Sequence, residues 1–347
     1  MATVFVGLSG GVDSAVSAAL LKDQGHDVVG AFIKIWQPEF TECSWQEDRL
    51  DAMRVAAALS IPFKEIDLSE QYKHEIVRTM VEGYSRGETP NPDVLCNQKI
   101  KFGSFADWAF REGAEKIATG HYARICQEGR AFSLLRGVDP EKDQSYFLSQ
   151  LNESVISRTI FPVGDMTKKE VRAYAARTGL PVAKKADSQG LCFVGPVTIR
   201  EFLGHYIPLK RGVVLNENHE PVGAHEGAAL YTIGQRHGFS VDAPTSLEAH
   251  YVIALDMRTN TITISPTRSK AARKTFSIAS MHWIGNEPKL PLLATAQVRY
   301  RGERISARVT GHKQVRVELD RAEIASPGQS LVLYDGNRVL GGGVISA

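Results

Sequence analysis

Near its start the chain reads Gly7-Leu8-Ser9-Gly10-Gly11-Val12-Asp13-Ser14, a run of glycines, hydroxyls and one acid. It lies between an apolar stretch, Val4-Phe5-Val6, and an Ala/Val/Leu-rich helical pattern from Ala15 to Lys22. A glycine-hydroxyl loop where a strand turns into a helix forms an anion site. The first helical N–H groups have no intrahelical partner, and the helix dipole adds positive potential. Gly10 and Gly11 let the backbone approach a ligand closely, and Ser9 and Ser14 add hydroxyl donors. Asp13 puts a carboxylate where phosphate would sit and would repel it unless a Mg²⁺ lay between. Asp13 is therefore a candidate metal ligand in a nucleotide site. The loop has neither the Gly-Lys-Ser/Thr ending of a Walker loop nor the Gly-x-Gly-x-x-Gly of dinucleotide binders.

Two further stretches carry nucleophiles. In Thr89-Pro90-Asn91-Pro92-Asp93-Val94-Leu95-Cys96-Asn97 the two prolines stiffen the chain and are expected to exclude helix, presenting Asp93 and Cys96 from a loop of set geometry. In Lys184-Lys185-Ala186-Asp187-Ser188-Gln189-Gly190-Leu191-Cys192-Phe193 nearby ammonium groups favour thiolate over thiol. A cysteine in a polar loop is unusual, yet either loop alone is as compatible with a structural thiol as with a reactive one. Cys43 and Cys126 lack such settings and read as structural. Four cysteines without a Cys-x-x-Cys pair argue against a four-cysteine zinc site. With no signal-peptide pattern and no eighteen-residue apolar run, they point to a reducing, cytoplasmic setting away from membranes.

The elements that must hold these loops follow from periodicity. Apolar runs at Val28–Ile35, Phe63–Leu68 and Lys116–Thr119 alternate with helical patterns near Asp48–Leu59, Gln71–Tyr84 and Phe102–Arg111. This alternation predicts an α/β fold, a Rossmann-like parallel sheet covered on both faces. Ligands then bind beyond the carboxyl ends of the strands, where the first loop, the stretch after Ile33 and Thr119-Gly120-His121 fall. From about 140 to 205 the pattern is mostly helical, with a capping-box spacing at Thr167-Lys168-Lys169-Glu170 and a stop at Gly179. Beyond Gly212 come short strands and turns without helices, which predict two small β-rich units, the second a barrel. The boundaries are placed near 207 and 277, giving segments 1–207, 208–276 and 277–347. The chain carries +2 overall, with 41 Lys/Arg and 39 Asp/Glu. From Thr267 onward thirteen Lys/Arg face six Asp/Glu, a net of +7, leaving −5 on the remainder. A basic C-terminal third is the electrostatic footprint of a nucleic-acid contact.

Ser9–Ser14 resembles the pyrophosphatase loop of enzymes that split ATP into AMP and pyrophosphate. Further along come Asn91-Pro92-Asp93 with Cys96, Thr119-Gly120-His121-Tyr122, Lys142-Asp143-Gln144-Ser145-Tyr146-Phe147, Asp187 through Cys192-Phe193, and Gly234-Gln235-Arg236. In this order the set resembles, nearly from end to end, the tRNA-specific 2-thiouridylases, which replace O2 of the wobble uridine with sulfur. The resemblance implies that Gly7, Leu8, Ser9, Gly10, Gly11, Val12, Asp13 and Ser14 hold the ATP phosphates. Ile33 and Gly120 would flank the adenosine, with Gly120 leaving room for the ring. Asn91, Pro92 and Asp93 would surround the target uracil. His121, Lys142, Asp143, Gln144, Arg299, Tyr300 and Gln329 would contact tRNA, of which those for Lys, Glu and Gln are implied.

In that family's chemistry O2 is adenylated, pyrophosphate leaves with its charge offset by Mg²⁺, and sulfur then displaces AMP at C2. Cys192 would carry a persulfide received from a sulfur-donor protein. Cys96 would be the second thiol, attacking C2 or closing a Cys96–Cys192 disulfide, and Asp93 the acid/base. Asp93, Cys96 and Cys192 could instead ligate an iron–sulfur cluster. Other outcomes are an adenylating enzyme with a different acceptor, or a non-catalytic RNA binder that uses ATP structurally. The family implies a monomer.

Overall fold

The computed structural model describes residues 1–40, 45–186, 197–242 and 249–346. Five parallel strands make the N-terminal sheet: β1 (Thr3–Gly7), β2 (Asp27–Lys34), β3 (Phe63–Asp67), β4 (Lys116–Ala118) and, later in the chain, β7 (Thr159–Ile160). They lie in the order β3-β2-β1-β4-β7, the reversal about β1 expected of a doubly wound sheet. Alternation along β1 splits the core in two. Val4 and Val6 pack with Ala15, Val16 and Ala19 of α1 (Val12–Asp23) and with Val55 of α2 (Trp45–Ala58). Phe5 points the other way, into a cluster with Ile76, Met80, Ile100 and Phe105. Gly25, Gly113 and Gly179 end their helices with φ of 82°, 96° and 67°, the left-handed turn only glycine adopts without strain.

The remaining strands form two further units. β8 (Gly212–Leu215), β9 (Pro221–His225), β10 (Phe239–Val241), β11 (Tyr251–Asp256) and β12 (Thr261–Ser265) make an open half-barrel around Val214, Tyr231, Val252 and Ile262. β13 (Arg273–Trp283), β14 (Leu292–Gln297), β15 (Ile305–Thr310), β16 (Val315–Glu323), β17 (Ser330–Asp335) and β18 (Arg338–Ile345) close into a six-stranded antiparallel barrel through β13–β18 pairing. Among the described residues no helix is long and apolar enough to cross a membrane.

Two features depart from the sequence reading. A hairpin, β5 (Ala123–Glu128) and β6 (Ala131–Arg136), leaves the first unit and extends the barrel sheet, with Leu135 beside Arg338 of β18 and Arg136 N–H donating to Asn337 C=O at 2.9 Å. The stretch after Pro90 is also helical, not an open loop. Pro92 starts a short helix, Pro92–Leu95, that runs on through wide π-type turns, Cys96–Ser104. Proline excludes helix only where an N–H is needed. At the first helical position its missing donor has no partner to lose and its fixed φ suits the helix.

The capping box forms as read: Glu170 N–H donates to the Thr167 hydroxyl at 3.3 Å, and Thr167 N–H to the Glu170 carboxylate at 2.7 Å. It starts the helix Lys168–Arg177, which packs on α1. Thr167→Ala removes one half of the box, and the expected loss is about 1 kcal/mol of unfolding free energy. A lower urea midpoint with unchanged slope measures it.

Candidate active site

The phosphate-type loop is built by close packing at both flanks. Leu8 N–H donates to Ala31 C=O at 2.8 Å, carrying the β1–β2 pairing one residue past β1. Gly10 has φ of +73°, and a Cβ there would lie 2.4 Å from the Asp48 carbonyl of α2. Ser9 N–H donates to the Ser14 hydroxyl at 3.2 Å, the two hydroxyls are 3.3 Å apart, and Ser14 donates to Gly11 C=O at 3.0 Å. A Cβ on Gly120 would meet Ser14 N at 2.7 Å and the Asp13 carbonyl carbon at 2.8 Å. The bare glycine therefore lets the chain past β4 lie against the first turn of α1, a constraint set by the loop itself. Ile33, half-buried, stands beside Ile66 where β2 ends.

Asp13 is not an open metal ligand. Lys168 Nζ lies 2.7 and 2.8 Å from its two oxygens, and the Tyr122 hydroxyl donates to Oδ1 at 2.8 Å. A lysine ammonium supplies the countercharge that the sequence reading gave to Mg²⁺. Among the described residues no three His, Cys, Asp or Glu side chains cluster, whereas Mg²⁺ in a nucleotide site draws most of its ligands from phosphates and water. Lys168 was read only as part of a helix start, and its one signal was a basic residue at a first turn, where the dipole disfavours cations.

Asn91 caps the short helix, accepting Val94 N–H at 3.2 Å, with Asp93 in its first turn and Cys96, buried and not in a disulfide, at its end. Asn97, also buried, donates to Asp93 C=O at 3.0 Å, and its Oδ1 has no hydrogen-bond partner. The approach to this helix is clamped by the other two units. Thr89 N–H donates to Pro327 C=O at 2.7 Å, the Thr89 and Thr232 hydroxyls are 3.0 Å apart, and a Cβ on Gly328 would fall 2.8 Å from Thr89 N. Asp187, Cys192, Phe193 and Cys43 lie outside the described residues, so the thiol pair and an iron–sulfur cluster on Asp93, Cys96 and Cys192 do too. The chain enters 187–196 beside the phosphate-type loop: Lys185 Nζ bonds Asp48 at 2.8 Å and Asp51 at 2.7 Å, and Asp48 is the residue whose carbonyl abuts Gly10. It leaves at Val197, packed in the cluster that contains Ile33 and Trp36 just past β2.

Three family models match in succession: a tRNA methyl transferase HUP domain over residues 2–196, a tRNA methyl transferase PRC-barrel domain over 200–266, and an aminomethyltransferase beta-barrel domain over 273–345. The chain is 44% identical over 350 residues to the tRNA-specific 2-thiouridylase MnmA of Akkermansia muciniphila, covering 99% of this chain and 98% of that one. It is 43% identical over 362 residues to that of Acidovorax ebreus (99% and 98%) and 41% over 353 residues to that of Enterococcus faecalis (99% and 94%). The chain belongs to the tRNA-specific 2-thiouridylase family. The methyltransferase label of two models yields to these relatives, which span the whole chain.

In this thiouridylase-family chain the residues read as tRNA contacts fall into two groups. Lys142, Asp143 and Tyr300 line one groove of about 590 Å³ between the β5–β6 side and the turn 299–304, together with Arg136, Arg301 and Arg304. Tyr300 packs against Phe147 with ring centres 4.3 Å apart and planes tilted by 45°, and Arg299 pairs with Glu323 at 3.5 Å. Asp143, although it lines the groove, and the remaining residues are bonded within the fold. Asp143 receives Arg136 Nε at 2.6 Å and the N–H groups of Gly137 and Ser145 at 3.1 Å. Gln144 accepts Tyr122 N–H at 3.0 Å, its own N–H donates to Tyr122 C=O at 2.9 Å, and the Gln329 side chain folds back on Ser326 N–H at 2.9 Å.

His121 is buried between Phe102 and Phe161, its Nδ1 2.8 Å from the Thr119 hydroxyl. Burial, with the Lys101 charge adding to it, holds His121 well below the usual histidine pKa of 6.5, so the folded protein keeps it neutral. The unfolded chain takes up a proton near pH 6.5 that the folded one refuses. Stability is therefore full above that pH and falls as pH drops below it, by up to ~1.4 kcal/mol per pH unit. His121→Asn is expected to flatten urea midpoints between pH 5 and 7 relative to the parent. His225, also lowered by burial, is common to both proteins and cancels in the difference.

Proposed function

We propose that this chain is an ATP-dependent sulfurtransferase that converts the wobble uridine of tRNA to 2-thiouridine. The observation that carries the reading is the end-to-end match to tRNA-specific 2-thiouridylases, 44% identity over 99% of the chain, with both thiols and the Ser9–Ser14 loop present. Uracil O2 is a poor leaving group, so sulfur at C2 needs it activated first. ATP bound on Gly7 to Ser14 gives AMP to O2 and releases pyrophosphate. Ile33 and Gly120 border the adenosine. The helix N-terminus supplies the positive field on the phosphates, with the Asp13 charge balanced by Lys168.

The base, flipped out of the anticodon loop, is bounded by Asn91, Pro92 and Asp93 at the capped helix start. The terminal sulfur of a persulfide on Cys192, loaded by a donor protein, attacks C2, and AMP leaves with the original oxygen. The Cys96 thiolate then attacks Cys192 Sγ and breaks the S–S bond, leaving sulfur on C2 and a Cys96–Cys192 disulfide that external thiols reduce. Asp93 moves the proton at the base. Lys142 and Tyr300 meet the RNA from the groove, Tyr300 by stacking. His121, Asp143, Gln144 and Gln329 act from behind, holding the elements that touch it. The substrates are the tRNAs for Lys, Glu and Gln, and the working species is a monomer.

Cys192→Ser is expected to abolish 2-thiouridine in tRNA nucleosides analysed by mass spectrometry, while tRNA-dependent release of labelled pyrophosphate from ATP persists. Persistent wobble 2-thiolation in a strain lacking the protein would overturn the assignment. A variant with full thiolation would remove Cys192 from the mechanism.

A further inference from the structure

The six residues Asp139–Gln144 hold the phosphate-type loop from both ends, through two separate routes that meet on one carboxylate. At the first end, Asp139 Oδ2 accepts Lys168 N–H at 2.9 Å. That N–H is one of the orphan donors at the start of the helix Lys168–Arg177, and a carboxylate there is favoured by the dipole as well. Asp139 thereby fixes the backbone from which the Lys168 side chain reaches both Asp13 oxygens at 2.7 and 2.8 Å. At the second end, Gln144 grips Tyr122 through both its N–H and its side-chain oxygen, and the Tyr122 hydroxyl holds Asp13 Oδ1 at 2.8 Å.

Asp139 also organises the segment between. Its Oδ1 accepts Glu141 N–H at 3.0 Å, and its carbonyl accepts Lys142 N–H at 3.2 Å and Asp143 N–H at 2.8 Å. The turn that presents Lys142 to the groove and the anchor that sets Lys168 are thus one residue. A force on Lys142 reaches Asp13 through hydrogen bonds and covalent chain alone, without crossing a loosely packed layer. The neighbouring backbone has no slack: a Cβ on Gly137 would lie 2.7 Å from the Tyr122 carbonyl oxygen, and Val138 N–H is bound to Gly164 C=O at 3.0 Å.

We propose that Asp139 is a positioning residue that couples RNA engagement at Lys142 to nucleotide binding at Ser9–Ser14, with Gln144 as the second arm. The coupling is reciprocal, so RNA tightens ATP binding by the same factor as ATP tightens RNA binding. It rests on the functional reading above, which puts tRNA at Lys142 and ATP at the loop.

The test measures the Kd of α,β-methylene-ATP, which cannot be cleaved between the α and β phosphates, with and without an unmodified tRNA transcript carrying uridine at the wobble position. In the parent protein the transcript is expected to tighten the analogue by about 5- to 150-fold, the usual span of such couplings. In Asp139→Ala the ratio is expected to fall to within about 2-fold of unity, and Asp139→Asn, which keeps an acceptor oxygen, recovers part of it. A purely structural role would shift both Kd values together and leave their ratio intact. If Asp139→Ala does not fold, Gln144→Ala reports the same loss from the other arm. A parent protein that binds and thiolates the transcript without any change in analogue Kd overturns the coupling alone, as does a ratio unchanged in the variants. A parent that does not bind the transcript overturns the functional reading, and this inference with it.

Discussion

The geometry of the site depends on one ion pair between distant parts of the chain: Asp13, in the first turn of α1, and Lys168, 155 positions later. The two groups sit together at the positive end of α1, half shielded from water, with the Tyr122 hydroxyl as a third partner. A cation alone beside a helix N-terminus would be repelled, and an anion alone would block an anionic ligand. Together they leave a locally balanced charge over backbone donors already aimed outward. The pair also fixes the helix Lys168–Arg177 against α1, so charge and packing specify the same arrangement.

Around that pair the three units share residues instead of meeting at smooth faces. The Cys96 helix belongs to the first unit by sequence, yet its approach is held by Thr232 of the second and by Pro327 and Gly328 of the third. Tyr146, next to the Asp139–Gln144 turn, donates its hydroxyl to Ser330 C=O of the barrel at 2.8 Å. The Pro327 and Ser330 carbonyls are backbone partners with fixed directions, so they define register and angle more tightly than apolar contact would.

What the sequence revealed was local, and what it concealed was not. β1 to β4, the stops at Gly25, Gly113 and Gly179 and the Thr167–Glu170 box are set by neighbours within a few positions, and each could be read directly. The β5–β6 hairpin could not: Ala123–Glu128 ends in polar residues, and its sheet is completed by Arg338, about two hundred positions away. Pro92 misled because the same residue breaks a helix in its interior and starts one at its first position. The motif residues were legible as a set but not in their individual tasks. The bonds of Asp143 to Arg136 and of Gln144 to Tyr122 are visible only in coordinates. His121, polar by type, is buried, with its Nδ1 met two positions back by the Thr119 hydroxyl.

β18 pairs with β13, with β17 and with β6. Without it the barrel has an open seam, and the hairpin some two hundred residues earlier in the chain has no edge to join. A chain truncated before Arg338 loses more than a terminal strand: it loses the closure that supports the Pro327–Gly328 turn against Thr89, and with it the bracing behind Cys96.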